Sequence, residues 1–330
     1  MQEILPAKLK RIAVLTSGGD SPGLNACLRA VVRTALAEKV EIFGVRRGYD
    51  GLMADDFVQL DGHSVSGIIN RGGTFLLTAR SRNFESPAGL RKAARALARR
   101  KLEGLIVLGG EGSLRGASEL AEKTSAAIMG IPKSIDNDVG GTDFSIGFDT
   151  ALNTAVEVID KIRDTATSHE RLFFVEVMGR KRGFLALATA LAGGAEAFLL
   201  PEIKSDLPLL CRKLEEGKRR GKISSIVVVA EGDEAGGAFE MARQIKKSMG
   251  YEVRVSVIGH QQRGGAPSAF DRILASQLGN AAVEALLRGE RSKLAGIQKG
   301  GIVTVPLESA WKIEKPLDHG LIRLAEILSR

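Results

Sequence analysis

Residues 105–138 constrain the fold of this chain more than any other stretch. An apolar run, Leu105-Ile106-Val107-Leu108, gives way to the turn Gly109-Gly110-Glu111-Gly112-Ser113 and then to a helix-like segment. A second apolar run, Ala127-Ile128-Met129-Gly130-Ile131, ends in Pro132-Lys133-Ser134-Ile135-Asp136-Asn137-Asp138. Two strands of a parallel sheet joined by a helix bring their carboxyl ends to one edge, where ligands bind in α/β folds. Glu111 and the pair Asp136/Asp138 are therefore expected to meet. Glycines after the first strand let backbone N–H groups approach anionic oxygens, and the following helix start favours negative charge. A phosphate site faces a carboxylate site, and a magnesium nucleotide or pyrophosphate suits it.

Each half of this pattern has a plain structural alternative. Gly110, Gly112 and Gly116 form a degenerate dinucleotide fingerprint, but glycine also serves turn geometry alone. A nicotinamide-dependent dehydrogenase would need an acidic residue at the end of the next strand to hold a ribose, where this chain has Pro132-Lys133. Two aspartates two residues apart after a proline are often a solvated turn. No Gly-Lys-Ser/Thr phosphate loop occurs anywhere in the chain.

At 330 residues the chain is long enough for two domains. Cys27 and Cys211 are its only cysteines, which fits a reducing, cytoplasmic setting without disulfides. No apolar run approaches the roughly 18 residues of a membrane span. The net charge of +8 could signal nucleic acid, yet the basic residues are spread along helical segments and aromatics make up only 5%. Phosphorylated small molecules account for the charge more simply, and neither nucleic acid nor membrane is expected as a partner.

In chain order, residues 1–10 read as a polar extension, 11–16 as a strand and 25–38 as a helix behind the glycine loop Gly18-Gly19. Residues 40–45 form a second strand ending at Gly48-Tyr49-Asp50-Gly51. Residues 64–70 read as a short helix and 71–82 as a loop. Residues 87–101 begin with a proline suited to a helix start and place Leu90, Ala94 and Leu97 on one face. A long helix spans about 151–167. Strands at 172–178, 197–200, 225–230 and 253–258, each separated by a helical segment, predict a second parallel sheet. A helix at 271–287, a strand near 302–305 and a C-terminal helix close the chain. The class is α/β, with two Rossmann-like three-layer domains built on mainly parallel sheets.

The joint pattern resembles the phosphofructokinase family, whose matching segments read Gly-Gly-Asp-Gly or Gly-Gly-Asp-Asp, then Pro-Gly-Thr-Ile-Asp-Asn-Asp or Pro-Lys-Thr-Ile-Asp-Asn-Asp. The resemblance extends over nearly the whole chain. It is carried also by Thr16-Ser17-Gly18-Gly19-Asp20-Ser21-Pro22-Gly23-Leu24-Asn25, Asn70-Arg71-Gly72-Gly73-Thr74, Glu176-Val177-Met178-Gly179-Arg180 and Gly259-His260-Gln261-Gln262-Arg263-Gly264-Gly265. It implies a donor domain over residues 1–147 plus about 262–310, and a sugar-phosphate domain over 148–261 plus about 311–330.

By the same resemblance Asp136 is the base that accepts the sugar hydroxyl proton. Asp138, Ser134 and Lys133 share its loop, and Ser134 stands where the family has threonine. Arg80 bridges the transferring phosphoryl group. The donor lies against Gly19, Tyr49, Arg80, Ser81, Gly110, Glu111, Gly112 and Ser113. Glu111 replaces the family aspartate that serves Mg²⁺, adding a methylene between backbone and ligand oxygen. The acceptor, fructose 6-phosphate, is matched to Ser134, Ile135, Asp136, Arg171, Met178, Gly179, Arg180, Glu231, Arg254, His260 and Arg263. Arginines suit its phosphate because a planar guanidinium binds two oxygens at once. In the family the counterparts of Arg171 and Arg254 come from a neighbouring subunit, which implies a homodimer at least and points to a homotetramer.

The donor signature is mixed. Gly112 leaves room for a nucleotide's α-phosphate, where pyrophosphate users carry aspartate, while Lys133 adds a cation that can serve pyrophosphate. The resemblance implies Mg-ATP-dependent 6-phosphofructokinase activity in glycolysis, with pyrophosphate-dependent phosphotransfer as the alternative and a dehydrogenase as a remote one. Arg29, Arg33, Arg163, Glu196, Arg220 and Lys222 match an allosteric effector cluster, but Gly62 and Gly67 stand where it has an arginine and an aspartate. The resemblance implies an allosteric enzyme, while losing one cation from a phosphate pocket costs about 1.5–3 kcal/mol, so regulation retained and regulation weakened or lost both stay open at this cluster.

Overall fold

The computed structural model describes residues 9–204, 206–232 and 236–329. The polar extension expected at the N-terminus falls mostly on residues 1–8, outside the described residues. The chain divides into two compact units, one running to Asp149 and resuming over Arg263–Lys315, the other comprising Thr150–Gln262 and the segment from Pro316.

The first unit is built on a seven-stranded sheet. Its strands are β1 (Arg11–Thr16), β2 (Glu41–Val45), β3 (Phe57–Leu60), β4 (Gly104–Gly109), β5 (Ala127–Pro132), β10 (Lys293–Gln298) and β11 (Gly301–Pro306), in the order β11-β10-β5-β4-β1-β2-β3. The centre is parallel; the edge pairs β2–β3 and β10–β11 are antiparallel. All six residues of β4 and of β5 are buried, as strands covered on both faces must be.

Alternation along the strands sorts side chains onto the two faces. Ile12, Val14, Ile106 and Leu108 pack with Leu24 and Leu28 of α1 (Leu24–Ala37) and Leu274 and Leu278 of α9 (Ala269–Leu287). Ala13, Leu15, Leu105 and Val107 pack on the opposite face with Leu97 of α3 (Pro87–Arg99) and Leu114 of α4 (Glu111–Ala121). α3 starts where the sequence puts it, with Pro87 in its first turn and Ser86 Oγ accepting from Gly89 N at 3.1 Å.

The second unit has a four-stranded, wholly parallel sheet, β7-β8-β6-β9, made of β6 (Leu172–Val177), β7 (Ala197–Leu199), β8 (Ser225–Ala230) and β9 (Val253–Val257). Helices α5 (Phe148–Ser168), α6 (Phe184–Ala192) and α10 (His319–Leu328) supply one core; α7 (Leu207–Arg219) and α8 (Gly237–Met249) supply the other.

Four local expectations are corrected. Residues 64–70 form turns instead of a helix, because Asp61 Oδ1 accepts from Ser64 N at 2.8 Å and Ser64 Oγ at 2.7 Å, and Gly67 turns left-handed at φ +64°. Residues 48–51 open a short helix, α2 (Gly48–Met53), which leads into β3, an edge strand absent from the sequence reading. Any side chain at Gly51 would collide with the Arg46 carbonyl, so this tight turn requires glycine. The strand expected near residue 302 is one arm of a hairpin whose other arm is β10. The turn expected over residues 109–113 is shorter, since α4 already begins at Glu111.

Candidate active site

β5, β4 and β1 are neighbours in the sheet, so the segments leaving their carboxyl ends lie side by side: the loop at residue 133, the α4 start and the Gly18-Gly19 loop. Named hydrogen bonds join all three. Ser113 Oγ donates to Ser17 Oγ at 2.9 Å, and the Lys133 ammonium donates to the Gly19 carbonyl. Lys133 is only 4% exposed. Its charge is thus set against the glycine loop, and a lysine this deeply buried requires oxygen partners.

A second clasp comes from residues 78–80. Thr78 Oγ1 donates to the Gly18 carbonyl at 2.8 Å, and Gly18 N donates to the Ala79 carbonyl at 3.2 Å. Arg80 follows directly and is exposed. Ser81 Oγ accepts from Phe84 N at 3.3 Å, which leaves Ser81 a structural task in this loop.

The first turn of α4 carries Glu111, Gly112 and Ser113, whose amides have no intrahelical acceptor. Gly112 is exposed and a side chain there would meet nothing within 4 Å. The Glu111 carboxylate, about half exposed, pairs with Arg115 at 2.7 Å. Tyr49 is buried, its ring stacked on Phe84 with centroids 3.7 Å apart, and its hydroxyl donates to the Ser113 carbonyl at 2.6 Å. Burial, with the Glu119 carboxylate adding to it, pushes this phenol above its ordinary value. Tyr49 therefore supports the α4 start from beneath, and Phe84 covers one face of its ring.

The loop after β5 holds the carboxylates. Asp136 is 3% exposed and its N–H donates to Ser134 Oγ at 3.2 Å; Ser134 Oγ in turn donates to Asp138 Oδ1 at 2.6 Å. Between the two aspartates Asn137 adopts φ +52°, the left-handed region that Asn tolerates better than most residues. Its Nδ2 donates to the Asp143 carbonyl at 3.2 Å and its Oδ1 accepts from Ser145 N at 2.8 Å. Lys315 Nζ donates to that same Asp143 carbonyl. Burial brings the Lys315 ammonium down to about 8, against the opposing pull of Asp143 and Asp138. Sequence reasoning singled out neither Asn137 nor Lys315. The first had a signal, an Asn beside an Asp in a loop; the second, far along the chain, had none.

Arg263 lies in the first unit, where its Nη1 donates to the Asp20 carbonyl at 3.1 Å and its guanidinium packs against Gly19. In the second unit the carboxyl end of β6 leads into Met178, Gly179 and Arg180, that of β8 into Glu231 and that of β9 into His260. Met178 N donates to Oε1 of the buried Gln262 at 2.8 Å, and Glu231 N donates to the Val177 carbonyl at 2.9 Å, which fixes this edge. Arg180, Glu231 and His260 are exposed along it. Arg171 and Arg254 are elsewhere: Arg171 precedes β6, and Arg254 pairs in register with Phe173 near the amino end of that strand. Six residues of strand separate Arg171 from Met178, and four separate the level of Arg254 from it, about 15–20 Å in all cases.

The residues matched to an effector cluster divide likewise. Arg29 and Arg33 lie one turn apart on α1, and Arg33 lines an open cavity of about 590 Å³ with Leu36, Gly62, His63 and Ser66. In the second unit Arg163 and Lys222 converge on Glu196 at 3.4 and 3.8 Å, whereas Arg220 pairs with Glu216.

Among the described residues no three of His, Cys, Asp and Glu stand close enough to hold a metal ion by themselves, and no helix is long and apolar enough to cross a membrane. The donor set nevertheless fits Mg²⁺, which commonly takes one or two carboxylates together with substrate phosphates. Glu111 offers such a carboxylate at the helix start.

Residues 11–286 match the family model described as phosphofructokinase. The chain is 51% identical over 321 residues to an ATP-dependent 6-phosphofructokinase of Thermus thermophilus, covering 97% of this chain and all of the relative. An ATP-dependent 6-phosphofructokinase of Brevibacillus brevis gives the same identity and coverage. Among solved structures, phosphofructokinase from Saccharomyces cerevisiae superposes with a TM-score of 0.84 at 37% identity over 91% of this chain, which spans 45% of the yeast chain. A pyrophosphate-dependent phosphofructokinase from Marinobacter aquaeolei reaches a TM-score of 0.83 at 22% identity, with 94% and 86% of the two chains covered, a likeness of fold.

Proposed function

The chain belongs to the phosphofructokinase family, and from that premise we propose which residues perform its reaction. It is an ATP-dependent 6-phosphofructokinase, a phosphotransferase acting on an alcohol group: fructose 6-phosphate and ATP give fructose 1,6-bisphosphate and ADP. The observation that carries the assignment of roles is the Lys133 ammonium on the Gly19 carbonyl, because it ties the carboxylate loop to the glycine loop.

Asp136 accepts the proton of the sugar 1-hydroxyl as that oxygen attacks the γ-phosphorus and the bond to the β-phosphate oxygen breaks. Such a base contributes about 10²- to 10⁴-fold. Arg80 and Lys133 place positive charge where the phosphoryl group passes, and the first-turn amides of α4 add fixed dipoles aimed at the donor phosphates. Gly112 leaves the space an ATP α-phosphate needs. Glu111 is the carboxylate that would hold Mg²⁺ beside the donor, where the ion would supply neutralisation of phosphate charge.

Arg180, Glu231 and His260, at the carboxyl edge of the second sheet, are proposed to bind the sugar phosphate. Arg263, whose guanidinium packs against Gly19, is likewise proposed to bind the sugar phosphate. Arg171 and Arg254, about 15–20 Å from that carboxyl edge, are proposed to serve the site of a second copy, so that a dimer is the smallest complete enzyme.

Steady-state formation of fructose 1,6-bisphosphate from fructose 6-phosphate, with ATP and pyrophosphate in parallel, tests this. Turnover with ATP and little with pyrophosphate is the expected result. The reverse would mean that Lys133 rather than Gly112 decides the donor, and no turnover with either would sink the assignment.

A further inference from the structure

Asp136 is held by its loop, and the hydrogen bonds of that loop lead to one side chain outside every motif. Its conformation depends on the left-handed Asn137, whose amide spans from the Asp143 carbonyl to Ser145 N. The Asp143 carbonyl has two lone pairs; Asn137 Nδ2 takes one and Lys315 Nζ the other. The rest of Asp143 is anchored to the C-terminal hairpin, N–H to the Ile297 carbonyl at 2.7 Å and Oδ2 from Lys299 N at 2.6 Å. Lys315 thus binds the point on which the Asn137 lock rests.

Its charge matters as well as its hydrogen bond. The Asp143 and Asp138 carboxylates act on the Lys315 ammonium. Asp138 stands two residues from the base and shares Ser134 Oγ with its N–H. A phosphoryl group approaching this loop meets two carboxylates, and each negative charge opposes it. A half-buried cation placed near Asp143 and Asp138 lowers that opposition without touching either substrate.

We propose that Lys315 is a positioning residue of the phosphoryl-transfer site: through the Asp143 carbonyl its ammonium fixes the loop that carries Asp136. This rests on the assignment of Asp136 as the base. Because Lys315 bonds the Asp143 carbonyl on which the Asn137 lock rests, its loss acts on the chemical step and leaves the binding of ATP and of fructose 6-phosphate largely alone.

The test compares wild type with Lys315→Met, which keeps the length and loses the charge, and Lys315→Arg, which keeps the charge. We expect kcat of Lys315→Met to fall about 10- to 100-fold while both KM values stay within threefold, and Lys315→Arg to recover to within fivefold of wild type. An unchanged kcat in Lys315→Met, a fall carried by KM, or an arginine variant as slow as the methionine one would each overturn the proposal. Should Lys315→Met not fold by circular dichroism, Lys315→Gln, which retains a donor for the Asp143 carbonyl, is judged by the same criteria. Failure of wild type to turn over would instead strike at the assignment of Asp136, so the two failures are distinguishable.

Discussion

Replacing Gly112 by Asp separates what the α4 start does for the fold from what it does for the donor. Gly112 is exposed in the first helical turn, and a new Cβ meets nothing within 4 Å. The substitution removes a glycine from a helix and adds a negative charge near its positive end, which together should stabilise the chain by about 0.5–1 kcal/mol. The donor experiences the opposite. A carboxylate about 5 Å from a phosphate charge, at an effective dielectric constant near 20, is repelled by about 3 kcal/mol. That is about a 150-fold fall in kcat/KM for ATP, whereas pyrophosphate, which has no α-phosphate, should be used relatively better. The assay is bisphosphate formation at varied ATP and pyrophosphate, beside a thermal melt. If ATP kcat/KM stayed within threefold of wild type while the melt showed an intact fold, the steric and electrostatic account of Gly112 would be wrong.

Asp136→Asn should lower kcat about 10²- to 10⁴-fold with KM values nearly unchanged; a fall below tenfold in initial-rate assays removes Asp136 as the base. Tyr49→Phe deletes the 2.6 Å bond to the Ser113 carbonyl and should cost about 1 kcal/mol in urea unfolding, with no loss meaning that ring stacking alone holds α4. The Lys315 ammonium is lowered to about 8 from 10.5, so the folded chain sheds this proton before the unfolded chain does. Stability from this group is therefore constant below pH 8 and rises between pH 8 and 10.5. At about 1.4 kcal/mol per unit, reduced for partial exposure, the stability gap between wild type and Lys315→Met should move by about 1–2 kcal/mol in favour of wild type from pH 7.5 to 10. A flat or opposite trend in urea titrations contradicts it.

The central strands were legible because β4 and β5 are buried on both faces, which demands continuous apolar runs. α1, α3 and α5 announced themselves through apolar residues at helical spacing. The edges were harder. β3 and β11 each leave much of their length half-buried or exposed, β10 mixes polar ends with a short apolar middle, and a strand pairing on one side only need not carry a strong pattern. In the site, Gly18-Gly19, Gly112 and Asp136 lie in motifs whose backbone geometry dictates their composition. Lys315 bonds to a residue 172 positions earlier, a distance over which no local pattern informs. Arg263 was read from its motif, and only the fold brings it beside Gly19. The left-handed Gly67 and the Asp61–Ser64 turn account for the helix expected at 64–70 and not formed.

The packing of α9 against α1, and of β10 against β5, has a consequence for synthesis. α1 ends at Ala37 and α9 begins at Ala269, about 230 residues later. At the usual 5–20 residues per second, the ribosome leaves the apolar face of α1 without its cover for roughly 10–50 s. β5 likewise presents an open parallel edge until the hairpin emerges. Throughout that interval the whole second sheet is being made, and it can collapse on itself while the first waits half-finished. A nascent chain stalled near residue 260 should therefore bind trigger-type chaperones through α1 and β5, and release them once residue 306 has cleared the exit tunnel.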